Sequence, residues 1–135
     1  MKRVLICVFL IIVLSSSVVF AGAPKISGEW SGDFVAIYAN GDVIHLSDGG
    51  VATITQDEQY PNLFYGTLVF TMDSQSFNRY LTGYISKDKR ITVNLTDESE
   101  NPIGIVEGHL TGKTIQGVLR DFTDTSTTMF IAKKQ

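Results

Sequence analysis

Glu107, His109 and Arg120 come closest to a reactive constellation in this chain. Glu107 and His109 are two residues apart, a spacing that puts both on one face of a β-strand. Pairing of their strand with the next would set Arg120 diagonally from Glu107. A carboxylate, an imidazole and a guanidinium could move protons if they lined a cleft. On a solvated strand face the same trio is an ordinary ion-pair patch, and that is the expected reading. His45 is followed by Ser47-Asp48, but this is a strand end running into a turn, with nothing beside it to complete a triad. Asp121 shares an apolar strand face near its end and is expected to accept hydrogen bonds in the following turn. The acidic run from Asp97 to Asn101 lacks the regular ligand spacing of a calcium loop and reads as a solvated connection. No zinc, phosphate or nucleophile-elbow pattern occurs. Asn94-Leu95-Thr96 has the glycosylation pattern but is expected mid-strand and is set aside. The chain is therefore read as a binding protein and not an enzyme, with no catalytic residue, no metal ligand and no cofactor expected.

The elements that would position a binding site announce themselves more clearly. One phrase, apolar–x–Gly–x–apolar, recurs along the chain, and five copies each lie within a single expected strand: Trp30 to Phe34, Phe64 to Leu68, Leu81 to Ile85, Val106 to Leu110 and Ile115 to Leu119. The two apolar residues and the glycine between them fall on one strand face. A central glycine weakens a strand but permits sharp coiling and close approach of another backbone. Repeated strand after strand at Gly32, Gly66, Gly83, Gly108 and Gly117, the device suits a small sheet that closes on itself.

The first 21 residues have a different purpose. Lys2 and Arg3 precede an unbroken apolar run from Val4 to Leu14, and Val19-Phe20-Ala21 offers a small residue at a cleavage point. This is the pattern of a bacterial-type signal peptide, implying a periplasmic or secreted protein with no membrane attachment after cleavage; the alternative is an uncleaved anchor, since Val4 to Phe20 is only slightly short of a span. The domain is then 22–135. Cys7 is the only cysteine and lies in the signal, so the mature chain has no disulfide and must rely on its core. Two of the 11 basic residues also lie there, leaving nine against 14 acidic ones, a net charge of −5. With no basic stripe, nucleic acid and anionic membrane surfaces are not expected partners.

After Pro24, turn signals recur every 8 to 14 residues between runs rich in Val, Ile, Thr, Tyr and Phe. Strands are predicted near 28–39, 43–47, 51–57, 63–73, 79–87, 90–97, 103–111, 114–122 and 127–133. Eight or nine strands with short loops make an all-β, up-and-down antiparallel barrel, which leaves no exposed edges. A two-residue turn at Gly112-Lys113 sets Leu110 opposite Ile115, Gly108 opposite Gly117 and Val106 opposite Leu119. A three-residue loop at 87–89 sets Ile85 opposite Ile91, Gly83 opposite Val93 and Leu81 opposite Leu95. A slip of one residue would turn the apolar set outward. The glycine-bearing face is assigned to the interior, and the opposite face of the 79–97 hairpin carries Tyr80, Thr82, Tyr84, Thr92, Asn94 and Thr96.

Gly28-Glu29-Trp30, followed by Gly32, resembles the Gly-x-Trp opening of calycins, the lipocalin and avidin group of antiparallel barrels. The resemblance implies that Trp30 closes one barrel end beneath a late-strand arginine, for which Arg120 is the candidate. Avidins build their biotin pocket from several tryptophans, and Trp30 is the only one here, so biotin is not expected. Typical lipocalins are longer and carry a helix before the final strand, which this sequence does not predict. What is implied is a shortened barrel with room for side chains or one small molecule. The functional expectation is a carrier or sensor of a small apolar ligand, uncharged or cationic, held at a barrel mouth. Tyr38, Tyr65, Tyr80 and Tyr84, with Phe77, would supply its aromatic rim. The alternative is a protein-binding module, such as a secreted protease inhibitor or an envelope component. It would use the 97–102 loop or the Tyr80–Thr96 wall.

Overall fold

The computed structural model describes residues 22–135; the segment 1–21, read above as a signal peptide, lies outside the described residues. Eight strands follow one another: β1 (Gly28–Ile37), β2 (Val43–Gln56), β3 (Leu63–Met72), β4 (Gln75–Ile85), β5 (Arg90–Thr96), β6 (Pro102–Thr111), β7 (Thr114–Asp121) and β8 (Thr127–Lys134). Each pairs antiparallel with the next, and β8 returns to β1 to close the barrel. No helix occurs among the described residues. This is the expected all-β meander, an eight-stranded antiparallel barrel compatible with a calycin-like one.

Both expected registers hold, from Leu110↔Ile115 to Val106↔Leu119 and from Ile85↔Ile91 to Leu81↔Leu95. Turn chemistry explains them. The Ala39–Gly41, Lys87–Lys89 and Glu98–Glu100 loops share one hydrogen-bond pattern, and each ends on a residue with positive φ: Gly41, Lys89 and Glu100. That is the three-residue hairpin connection ending in a left-handed residue. Asp73 and Ser74 both have positive φ, the two-residue hairpin turn that best matches strand twist.

The two strands expected at 43–47 and 51–57 are one. Asp48-Gly49-Gly50, read as a turn, is a bulge inside β2. Gly32 pairs with Gly50 and Phe34 with Leu46, so three residues of β2 oppose Asp33 alone. Extra residues bend a strand and raise its twist, which helps a short sheet close. β4 also starts four residues earlier than expected, at Gln75.

The interior is unequal along the barrel axis. One end gathers the large buried side chains Ile26, Trp30, Ile54, Phe64, Leu81, Ile85, Ile91, Leu110 and Ile115. Trp30 is 1% exposed, and its indole Nε1 donates to the Ile26 carbonyl at 2.8 Å. Gln56 ties the segment before β1 across this end. Its Oε1 accepts from Ile26 N at 2.8 Å, and its Nε2 donates to the Pro24 carbonyl at 2.9 Å and to the Pro61 carbonyl at 2.6 Å. The repeated glycines allow this packing. A Cβ on Gly32, Gly66 or Gly117 would run into a carbonyl oxygen of the adjacent strand, and one on Gly83 would run into the Phe64 ring.

Candidate functional site

The other barrel end is open. Its chamber, about 270 Å³, is walled by Phe34 and Ala36 of β1, Ile44 and Leu46 of β2, Leu68, Phe70 and Met72 of β3, and Phe77 and Arg79 of β4. Leu119 and Asp121 of β7, Thr128 of β8 and the 123–126 turn complete it, with Tyr38 at the rim. Past Phe34, Leu68 and Leu119 the space continues into a second chamber of about 90 Å³, bounded by apolar side chains and glycines down to Trp30. The lower space offers water no hydrogen-bonding wall, and such cavities suit apolar atoms.

Strand parity places each wall residue. Phe70 pairs with Phe77 and Leu68 with Arg79, so a two-residue step carries the interior face of β4 from Ile85 through Leu81 to Arg79 and Phe77. The Phe70 and Phe77 rings stack with centroids 5.2 Å apart. The Arg79 guanidinium lies 5.6 Å from the Phe70 centroid and 5.7 Å from that of Phe77, within cation–π range of both. Its Nη1 donates to the Asn78 carbonyl at 2.9 Å. Across the mouth, burial is the main cause that pushes the Tyr38 phenol above its ordinary pKa, with the Asp124 and Asp121 charges adding to it. Tyr38 therefore stays a neutral hydrogen-bonding group at physiological pH.

The carboxylates at the mouth are engaged by their own turn. Asp121 Oδ1 accepts from Thr123 N at 2.7 Å and from Thr123 Oγ1 at 2.5 Å, and Asp124 Oδ1 accepts from Ser126 N at 2.8 Å. Asp121 is thus the turn acceptor expected of it. Asp97 holds its own loop in the same way, accepting from Ser99 N at 2.8 Å, Asn101 N at 2.9 Å and Asn101 Nδ2 at 3.0 Å. Those bonds, the Asn101 side chain first, keep its carboxyl below the usual range.

The structure divides the four expected ligand tyrosines. Tyr38 lines the chamber, whereas Tyr65, Tyr80 and Tyr84 stand on the outer wall, each about half exposed. Phe64, Leu81 and Ile85 point inward, so Tyr65, Tyr80 and Tyr84, at odd offsets from them, must point outward. They form an aromatic surface with Leu63 across β3 and β4. Arg120 also departs from its expected place. It is exposed on the outer face of β7, 3.6 Å from Glu107, and the cation over the Trp30 ring is Lys134 of β8. Parity again gives the reason, since Leu119 and Asp121 point into the chamber and Arg120 between them cannot. His109 shares this solvated outer wall with Glu107, and no cleft encloses them.

Met72, Ile44, Leu46 and Arg79 line the chamber although the sequence pattern does not point to them, whereas Phe70 lies on the expected interior face. Counting back by two from Ile85 would have found Arg79, but that residue was placed at a strand end. Among the described residues no cluster of three or more His, Cys, Asp or Glu could hold a metal ion. Compared with protein-family models and with curated proteins, the chain shows no match.

Proposed function

We propose that this protein is an exported binding protein of calycin-like type that carries or senses a small, mainly apolar molecule in the open end of its barrel. The observation that supports the reading is the asymmetry of the interior. Large side chains leave only about 90 Å³ toward one end, while at the other Phe34, Leu68 and Phe70 border the chamber of about 270 Å³ instead of meeting across the axis. That volume sits just under the roughly 300–1,000 Å³ usual for small-molecule pockets, so the ligand is small. A core with no ligand to hold would gain stability by filling this space. The test is titration of residues 22–135 with Nile red, a neutral solvent-sensitive dye. A saturable blue shift that a Phe70→Trp substitution weakens supports the carrier. No shift at any concentration overturns it.

The outer wall favours a second reading, a protein-binding module. Leu63, Tyr65, Tyr80 and Tyr84 are all 45–56% exposed and adjoin one another on β3 and β4. Contiguous exposed aromatic and apolar area of this kind is typical of protein-contact surfaces. Loss of partner capture on Tyr65→Ser/Tyr84→Ser, with Nile red binding intact, would assign function to this wall instead.

A further inference from the structure

Among the described residues, Arg79 is the only basic one lining the open chamber. It occupies a position where its neighbours in the same row, Phe77 and Leu81, are apolar. An aliphatic residue there would have packed against Phe70 and Phe77 without the desolvation cost of a charge. The guanidinium instead lies within cation–π range of both rings, and only its bond to the Asn78 carbonyl occupies its donors. Neither ion pair seen within 4.0 Å, Arg90–Asp88 and Arg120–Glu107, involves Arg79. The carboxylates at the mouth, Asp121 and Asp124, accept from their own turn, and Asp97, held below its usual pKa first by the Asn101 side chain and least by the Arg79 charge, accepts from its own loop. A planar fork with open donors, steadied by aromatic faces at an apolar mouth, is built to receive a planar anion.

We propose that the chamber selects small amphiphiles bearing one carboxylate, the carboxylate pairing with Arg79 and the apolar body lying along Phe70 toward Leu68 and Phe34. The proposal rests on the carrier reading and deepens it. It reverses the charge expected from composition: the net charge of the chain is negative, but the charged group with open donors in the chamber is a cation, beside the neutral Tyr38 phenol. Size narrows the class further. The lower chamber of about 90 Å³ is smaller than the roughly 150 Å³ that accepts a benzene ring, so only a chain end reaches it. The body is therefore a short alkyl chain, or a single ring confined to the upper chamber.

Isothermal titration calorimetry of residues 22–135 with sodium octanoate, 1-octanol and octylammonium chloride tests the assignment. These three probes share a chain and differ in head-group charge. Octanoate is expected to bind most tightly. Arg79→Met keeps the aliphatic stem and is expected to weaken octanoate about 10- to 100-fold, the usual worth of a charged hydrogen bond, and octanol by far less. Arg79→Lys should recover part of the loss. Octanol or octylammonium binding the native protein as tightly as octanoate would overturn the carboxylate assignment and leave the carrier standing. Failure of all three to bind would overturn both. The comparison of head groups on native protein decides the matter even if Arg79→Met does not fold.

Discussion

The Lys134 Nζ sits 5.8 Å from the centroid of the Trp30 ring, at the closed end of the barrel. The two residues face each other in the β1–β8 ladder, Trp30↔Lys134, so the seam that closes the barrel also sets the cation over the indole. The long lysine stem can lie on the ring while its ammonium reaches water.

Trp30→Ala is expected to cost about 3–5 kcal/mol, the range for truncating a large buried aromatic. Lys134→Ala should cost about 0.5–1 kcal/mol, as for a cation–π contact at the surface. Arg120→Ala should stay within about 0.5 kcal/mol, as surface changes do. Urea denaturation followed by tryptophan fluorescence measures all three, and the native emission should be that of a buried indole. Equal costs for Lys134 and Arg120 would show that the contact over Trp30 contributes nothing.

Gly83→Val and Gly108→Val should each destabilise the barrel by about 1–3 kcal/mol through overpacking. The Gly83 side is the tighter, because its Cβ would meet the Phe64 ring and would also lie 2.8 Å from the Thr92 carbonyl oxygen. At Gly108 the nearest atom is the Gln116 carbonyl oxygen at 3.0 Å. Thermal melts should therefore show the larger drop for Gly83→Val. The reverse order would mean that the Phe64 ring yields more easily than the β7 backbone.

Acid should weaken the fold partly through the loops at 87–89 and 98–100. Asp88 and Asp97 both have carboxyls held below the ordinary 3.8, Asp88 chiefly by the Ser86 hydroxyl and Asp97 chiefly by the Asn101 side chain. A folded pKa lower than the unfolded one means that the unfolded chain binds more protons in this range. The stabilisation is then present above pH 3.8 and is lost as pH falls through the folded value. Asp97→Asn should lower the urea midpoint at pH 7 and flatten the fall of that midpoint on the acid side. An unchanged acid limb would show that this carboxylate titrates alike in both states.

Strand periodicity and turn residues made the barrel legible, because a period of two and a fixed loop length leave one register that buries Leu81, Ile85, Leu110 and Ile115. The bulge in β2 was hidden because Asp48-Gly49-Gly50 has the composition of a turn. Whether such a segment reverses the chain or bends it is decided by continuous pairing with β1. The site was hidden differently. Tyr65, Tyr80 and Tyr84 were chosen for residue type, although their parity opposes the interior row. Arg79 obeys that parity but is charged, and a charged residue in an apolar row is easily taken for the end of the strand.

Ala36→Phe should separate the carrier from a merely imperfect core. Ala36 lines the open chamber between Phe34 and the rim, so a phenyl ring built on it projects into the space of about 270 Å³. Filling a natural cavity commonly stabilises by about 0.5–2 kcal/mol and compromises function where the cavity is the site. The substitution should raise the melting temperature and abolish binding of Nile red. Tyr65→Ser/Tyr84→Ser, altered on the outer wall alone, should leave dye binding intact. If Ala36→Phe destabilised the barrel instead, the chamber would have to be smaller in solution than its walls imply. If it stabilised the barrel and the dye still bound with native affinity, the dye site would lie outside the chamber and the outer aromatic wall would be the surface to pursue.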